Sequence, residues 1–251
     1  PLSGPGPPDR AGDRWRQVVP FSGPGGFGSP EAGCTCTDGD RLINLVVVDY
    51  QSGNLRSVAR ALESVGVAPL VTADPVHLQA ADAVILPGVG SAPAAMAALQ
   101  ERGLVSPLKE YVTSGRPFLG VCLGLQLLLE RTEEGAAECL GLVSGEVKRL
   151  PSSLKVPHMG WNSVRFKREH PTTRGIPQDS YFYFVHSYYA APTDTEGMVG
   201  TTEYSIPFCS VYARGNLVAT QFHPEKSGAL GLRFYQNFVA MAAGVAALHP
   251  G

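Results

Sequence analysis

Ten residues in the middle of the chain, Pro117-Phe-Leu-Gly-Val-Cys-Leu-Gly-Leu-Gln126, limit its possible folds more than any other stretch. Residues 118–121 are a short apolar run set off by Gly115 and Pro117, the pattern of a buried strand. Residues 123–130 are rich in helix formers and close on Glu130-Arg131. Cys122 therefore falls at a strand-to-helix turn, flanked by Gly120 and Gly124. This is the spacing of a nucleophile elbow, with cysteine in place of serine. Such a turn crowds backbone against its neighbours, and only residues without a Cβ fit beside the nucleophile. It pushes the sulfur out at the carboxyl end of the sheet and aims the next helix's first N–H groups at it, which favours the thiolate. A lone cysteine in an apolar run also suits a plain core position. The rest of the chain separates these readings.

Strand and helix signals alternate before the elbow. Residues 43–49 are apolar and β-branched, a first buried strand, and Leu55, Val58, Ala59, Leu62 and Val65 follow at helical spacing up to Gly66. Residues 67–71 and 82–87 read as the second and third strands. The third leads into the loop Gly88-Val-Gly90 and a helix through residues 95–99, and another helix over 104–113 precedes the elbow strand. The alternation implies parallel strands joined by right-handed crossovers, an α/β fold with a doubly wound, mostly parallel sheet. Sites on such sheets lie beyond the carboxyl ends of the strands, where residues 87–90 and Cys122 both fall. Short runs at 145–150, 163–166, 181–185, 198–203 and 208–212 point to antiparallel strands extending the sheet. Residues 216–222 are the last strand and 230–247 a closing amphipathic helix.

The first 42 residues differ, with seven prolines and nine glycines and little apolar periodicity. Such a segment buries too little surface to offset its ordering entropy and is expected to be a disordered leader, with the functional domain spanning 43–251. It lacks the apolar core of a secretory signal. Arg10, Arg14 and Arg16 leave room for a transit peptide, although this density of Pro and Gly opposes an amphipathic helix. Cys34-Thr-Cys36 has no second pair of ligands, so no metal is expected. A formal charge of −2 gives no sign of a nucleic-acid or membrane partner. No apolar run reaches the roughly 18 residues of a membrane span. Five cysteines without framework spacing point to a reducing compartment, the cytoplasm. Gly88-Val-Gly90 is too short for a dinucleotide fingerprint, so no cofactor is expected.

A second chemical cluster, Gln221-Phe-His-Pro-Glu-Lys-Ser227, follows the last strand. A cysteine nucleophile needs a base to take its proton and a third group to hold that base in the right tautomer. Cys122, His223 and Glu225 are the candidates, the last two separated by a proline that stiffens their turn. A solvated loop histidine is the competing reading.

Pro-Gly-Val-Gly at 87–90, Gly-Val-Cys-Leu-Gly-Leu-Gln at 120–126 and His-Pro-Glu-Lys-Ser at 223–227 resemble the class I, triad-type glutamine amidotransferases, over residues 43 to about 239. The resemblance implies a flavodoxin-like fold and a set of roles. Cys122 would attack the glutamine amide, His223 would shuttle the proton and Glu225 would orient His223. Leu123 and the Val89–Gly90 peptide would supply oxyanion-hole N–H groups, while Gly90 and Gln126 would hold the substrate. It also implies that a partner sets the oxyanion loop, a flip of the Val89–Gly90 peptide being the expected switch.

Within that family, residues 49–58, Pro157-His-Met-Gly-Trp-Asn162, 183–188 and 200–204 look like the glutaminase subunit of imidazole glycerol phosphate synthase, of histidine biosynthesis. The resemblance implies a heterodimer with the cyclase subunit, a (β/α)₈ barrel that receives the ammonia. Pro157, Met159 and Trp161 would face the barrel, Lys226 would pair with it and Asn54 would lie beside it. Met159 and Trp161 also fit a hairpin core, although Trp and Met are enriched at partner surfaces. Ala92 and Leu125 depart from the common Phe and Met, which touches packing near the oxyanion loop. Glutaminases serving anthranilate, pyridoxal phosphate or guanylate synthesis, a non-catalytic binding module and a thiol peptidase are the other readings. His158 and His186 read as structural or interfacial as readily as catalytic, His77, His170 and His249 as solvated, and Cys139 and Cys209 as structural.

Overall fold

The computed structural model describes residues 43–248. The expectations for residues 1–42, including Cys34-Thr-Cys36, and for His249 lie outside the described residues. β1 (Leu45–Val48), α1 (Leu55–Ser64), β2 (Leu70–Thr72), α2 (Pro75–Ala80), β3 (Ala83–Gly88), α3 (Ala92–Glu101), α4 (Val105–Thr113) and β4 (Phe118–Cys122) follow the predicted alternation. Helix α2 is an addition. Its signals are Asp74, whose carboxylate accepts from the Val76 N–H at 2.9 Å, and Pro75 at the first helical position. After the elbow come α5 (Leu123–Leu127), β5 (Arg131–Thr132), β6 (Ala137–Glu138), β7 (Gly145–Arg149), β8 (His158–Phe166), β9 (Ser180–His186), β10 (Tyr188–Pro192), β11 (Met198–Tyr204), β12 (Ile206–Arg214), β13 (Leu217–Thr220) and α6 (Gly228–Leu248).

Nine strands form one sheet in the order β2-β1-β3-β4-β13-β12-β11-β8-β9. Pairings from β2 through β13 are parallel, and those from β13 onward are antiparallel. The sheet is thus half parallel and half antiparallel. The run at 145–150 does not extend it. As β7 it pairs with β10 and β5 in a separate four-stranded sheet, β10-β7-β5-β6. Short strands of this kind share one period-2 pattern, and the pattern does not say which neighbour a strand will pair with.

Alternate residues of the parallel strands point to opposite faces, and helices cover both. Val46, Val48, Val84 and Leu86 pack with Leu78 of α2, Leu99 of α3 and Leu108 of α4. Leu45, Val47, Ile85 and Val121 pack with Val58 and Leu62 of α1 and Phe234 and Phe238 of α6. Burial on both faces explains why these strands read as unbroken apolar runs.

Register brings the predicted loops together. Gly88 pairs opposite Cys122 across β3 and β4, and Thr220 opposite Val121 across β13 and β4. Helix α5 is shorter than the predicted 123–130. The carbonyls of Leu127, Leu128 and Leu129 accept from the N–H groups of Leu140, Val143 and Gly141 at 2.8–2.9 Å, and so are taken by the returning chain. With one turn and a half of helix, the dipole assistance expected at Cys122 comes mainly from the first N–H groups.

The elbow glycines are required by contact. A Cβ on Gly124 would lie 2.0 Å from the Leu86 carbonyl oxygen, and one on Gly120 would lie 2.9 Å from Gly124 backbone. Gly124→Ala is therefore expected to lower stability by about 3 kcal/mol or more, as overpacking against rigid backbone does. Gly115→Ala, at φ +75° with open space around it, is expected to lose only the roughly 1–2 kcal/mol of left-handed strain. Denaturant midpoints of the two variants check the contrast.

Candidate active site

Cys122 has φ 53° and ψ −101°, a conformation that a residue with a Cβ seldom adopts without a surrounding structure to hold it. Both sides of the elbow supply that hold. Gly124 seats against β3, and the Tyr50 hydroxyl donates to the Pro87 carbonyl at 2.9 Å, fixing the end of β3 beside the sulfur. Burial pushes the Tyr50 hydroxyl well above its usual range, so it stays a donor.

The 223–227 turn follows β13 directly. His223 Nδ1 lies 2.7 Å from Glu225 Oε1, with the two side chains 1% and 0% exposed. The Asn54 amide, from the left-handed cap residue of α1, donates to the same carboxylate oxygen. The Tyr235 hydroxyl, from α6, donates to Oε2 at 3.3 Å. With a carboxylate at Nδ1, that nitrogen carries the proton and Nε2 is left to act. Nε2 has no hydrogen-bond partner among the described residues. Burial alone would lower the His223 pKa, but the facing Cys122 sulfur and the Glu225 carboxylate outweigh it and push the ring up to about 10. Cys122 here acts through space, since no hydrogen bond to Nε2 is formed. The 223–227 turn is also tied to β9: the His223 N–H donates to the Tyr183 carbonyl, and the Ser227 hydroxyl lies 2.6 Å from the His223 carbonyl and 3.0 Å from the Tyr183 N–H.

A cleft of about 640 Å³ is lined by Asn54, Val89, Gly90, Cys122, Leu123, Gln126, Pro157 and Lys226, together with His186 and Tyr188. Eight of the residues given site roles from sequence thus meet at one place, with His223 and Glu225 outside the lining. Gly90 is at φ +106°, a conformation that needs glycine, although the space beside it is open. A second hollow of similar volume, between Lys167 and Gln178, contains none of them.

Residues 46–242 match the family described as glutamine amidotransferase class-I. The chain belongs to this family. It is 49% identical over 201 residues to imidazole glycerol phosphate synthase subunit HisH of Dehalococcoides mccartyi (strain CBDB1), covering 80% of this chain and 98% of that relative. It is 52% identical over 195 residues to the HisH subunit of Moorella thermoacetica, covering 77% and 93%. In fold, this amidotransferase is similar to PurLQS from Thermotoga maritima (TM-score 0.64, 18% identity, 79% of this chain and 98% of that one). It is also similar to a GMP synthase subunit from Thermoplasma acidophilum (TM-score 0.63, 18% identity, 84% and 98%). At those identities the likeness is one of fold.

Several placements lie beyond local sequence pattern. Asn54, expected beside a partner, has its amide on Glu225. Met159 and Trp161 lie outside the cleft on β8, 63% and 55% exposed, so neither is a hairpin core residue. Trp161 pairs across to Tyr183 of β9, its ring 6.1 Å away edge-on, and Tyr181, 60% exposed, continues that face. Ala92, a departure position, is fully buried, its N–H held by Glu134 at 2.8 Å. His170 is half-buried beside Thr172 and not solvated. Cys139 and Cys209 are buried, and burial pushes both thiols up, to about 11 and about 12.

The two histidines left open in the sequence form a buried pair. His158 Nδ1 lies 3.0 Å from His186 Nε2, and His186 Nδ1 lies 2.9 Å from the Tyr188 carbonyl. A carbonyl only accepts, so His186 donates from Nδ1 and accepts from His158 Nδ1–H through Nε2. The alternating pattern of β8 and β9 places both inward; their meeting follows from register, His158 opposite His186. Burial lowers His158 to about 4 and His186 to about 3, and His170 falls to about 4 by burial and the Arg168 charge. The unfolded chain takes up these protons near pH 6.5, so between about 6.5 and 4 it binds more protons than the folded chain. The stability from these rings is complete above about 6.5 and is lost as pH falls through that window. His223, protonated in both states there, adds no slope. Urea midpoints are expected to fall between pH 6.5 and 4, with a shallower fall in His186→Gln.

Proposed function

We propose that this chain hydrolyses L-glutamine to glutamate and ammonia and passes the ammonia to the cyclase subunit of imidazole glycerol phosphate synthase, in the cytoplasm. The carrying observation is a buried His223–Glu225 contact within electrostatic reach of a strained Cys122 that lines one cleft, in a chain half identical to subunits of that synthase.

In this reading, the Cys122 thiolate attacks the carbonyl carbon of the glutamine side-chain amide. Negative charge develops on the amide oxygen and is met by the Leu123 N–H and an N–H of the Val89–Gly90 peptide, donors typically worth about 3 kcal/mol of barrier each. His223, charged beside Glu225, gives its proton to the departing nitrogen, and ammonia leaves as the C–N bond breaks. His223, now neutral, takes a proton from water, whose oxygen attacks the γ-glutamyl thioester. Glutamate leaves and the thiolate and imidazolium are restored. Glu225, held by Asn54 and Tyr235, keeps Nδ1 protonated throughout. Gly90 and Gln126, which line the cleft, hold the substrate.

The exposed face of Met159, Trp161 and Tyr181 supports the barrel partner. Large apolar side chains grouped on one strand pair are what a partner surface presents. Pro157 and Lys226 join that face to the cleft, so a docked partner would border the site where ammonia is released. Trp161→Ala is expected to weaken binding of the barrel by about 2 kcal/mol, some thirtyfold in Kd, as central aromatic anchors do. Unchanged binding by calorimetry would remove this face from the interface.

Glutamine hydrolysis by the purified chain, with and without the barrel partner and its nucleotide ligand, tests the whole reading. Strong stimulation by both is expected, because the Val89–Gly90 peptide has a glycine that can take either orientation and awaits a partner to set it. Equal turnover by the chain alone would refute the gating. Cys122→Ala is expected to lower glutamine-dependent synthesis by at least roughly a thousandfold and to leave synthesis from ammonium salt intact. Loss of both activities would instead make Cys122 a structural residue.

A further inference from the structure

Directly before the triad turn, just after β13, Gln221 is 0% exposed and its amide points at the nucleophile. Its Nε2 is 3.6 Å from Cys122 Sγ, and its Oε1 is 3.3 Å from Gln126 Nε2. We propose that Gln221 is a positioning residue for the nucleophile, donating a neutral N–H to the Cys122 sulfur and coupling it to the Gln126 amide. This rests on the reading of Cys122 as the nucleophile given above.

The amide orientations are fixed by a backbone group. The Tyr188 carbonyl accepts from His186 Nδ1 and, at 2.8 Å, from Gln126. A carbonyl cannot donate, so the Gln126 atom facing it is the nitrogen. The other proton on that nitrogen turns to Gln221, whose facing atom is then the oxygen. Gln221 is left with its NH₂ toward the sulfur, and no alternative flip satisfies both contacts. The network therefore presents a donor to Cys122.

A second contact of the sulfur is of the opposite kind. The Val185 carbonyl lies 3.9 Å from Sγ, a contact that suits a thiol S–H and opposes a thiolate. Gln221 tips that balance, because an N–H donor is a weak partner for a thiol and a strong one for an anion. His223 cannot fill this role alone. It must give up its proton during the reaction, while an amide N–H remains a donor at every stage and every working pH. A fully buried amide whose donor met only a neutral thiol would also be poorly compensated. The short α5 leaves the same gap on the other side, since its dipole supplies less than a full-length helix would.

The test is the pH dependence of Cys122 alkylation by iodoacetamide in the full chain, followed at the Cys122 peptide by mass spectrometry. The titratable groups around the sulfur are His223 with Glu225 beside it, Tyr50 and His186, with Glu134, Tyr188 and Lys226 lining the same cleft. Between pH 5 and 9, Tyr50 and His186 stay neutral, since burial holds the first far above that range and the second near 3. Gln221→Met keeps the volume and removes the donor. Its alkylation midpoint is expected to rise by about one pH unit, a tenfold change in the equilibrium between thiol and thiolate. With the partner bound, kcat for glutamine is expected to fall about tenfold with KM changed less than twofold. An unchanged midpoint, even with activity lost, would overturn the proposal and leave Gln221 a packing residue. Should Gln221→Met fail to fold, the wild-type side-chain amide answers the same question by nitrogen-15 NMR. Its Gln221 resonance is expected to move with the Cys122 titration and to lose that movement in Cys122→Ser; a resonance indifferent to pH would overturn the proposal equally. Neither readout requires glutamine turnover, so both stand apart from the test of the glutaminase reading.

Discussion

The buried carboxylate of Glu225 is the interaction on which the rest of the site depends. An isolated carboxylate removed from water is destabilising by several kcal/mol unless donors replace its hydration. Here three do, and each comes from a different part of the chain: Asn54 at the head of α1, His223 in the same turn and Tyr235 in α6. Satisfying one charge therefore draws the first crossover and the closing helix onto the end of β13. The same charge holds His223 in one tautomer. Structural and chemical demands fall on the same atoms, and a change at any of the three donors is a change in both.

The Cys122 side is organised by contact instead of charge. Gly124 lies so close to the Leu86 carbonyl that no side chain fits, and Gly88 sits under the Tyr50 hydroxyl with equally little room. Close approach of β3, β4 and α5 makes the positive φ of Cys122 tolerable, because the packing on both sides leaves the turn no other course. The 223–227 turn and the elbow meet because Thr220 of β13 lies beside Val121 of β4, in register. One parallel pairing thus brings the His223 turn to the Cys122 elbow.

The antiparallel half of the sheet has a separate duty. It ends in β8 and β9, whose outer face carries Met159, Trp161 and Tyr181 and whose inner face carries the neutral pair His158 and His186. Through Tyr183, bonded to His223 and Ser227, and through the Tyr188 carbonyl, shared by His186 and Gln126, this half reaches both the 223–227 turn and the Gln126 side of the cleft. A surface that faces outward and a site that faces inward are thus two sides of one strand pair.

The sequence by itself determined the parallel half and the elbow, and it singled out Cys122, His223 and Glu225 as candidates. Each of these is written in local pattern: unbroken apolar runs where both sheet faces are covered, glycines where backbones touch, and a proline-stiffened turn after the last strand. The helix after Cys122 is shorter than its local pattern implies because its last carbonyls are taken by residues 140–143, a competition no local propensity records. The run at 145–150 joins the smaller sheet for a related reason, since period-2 alternation marks a strand without naming its neighbour. Only the tertiary structure decided the contacts made by side chains far apart in the chain: Asn54 and Tyr235 on Glu225, Gln221 between Cys122 and Gln126, and His158 against His186. Such contacts depend on register and on which faces close over one another. These are set by the packing of the whole chain, and the residues that meet there carry no pattern within their own segments.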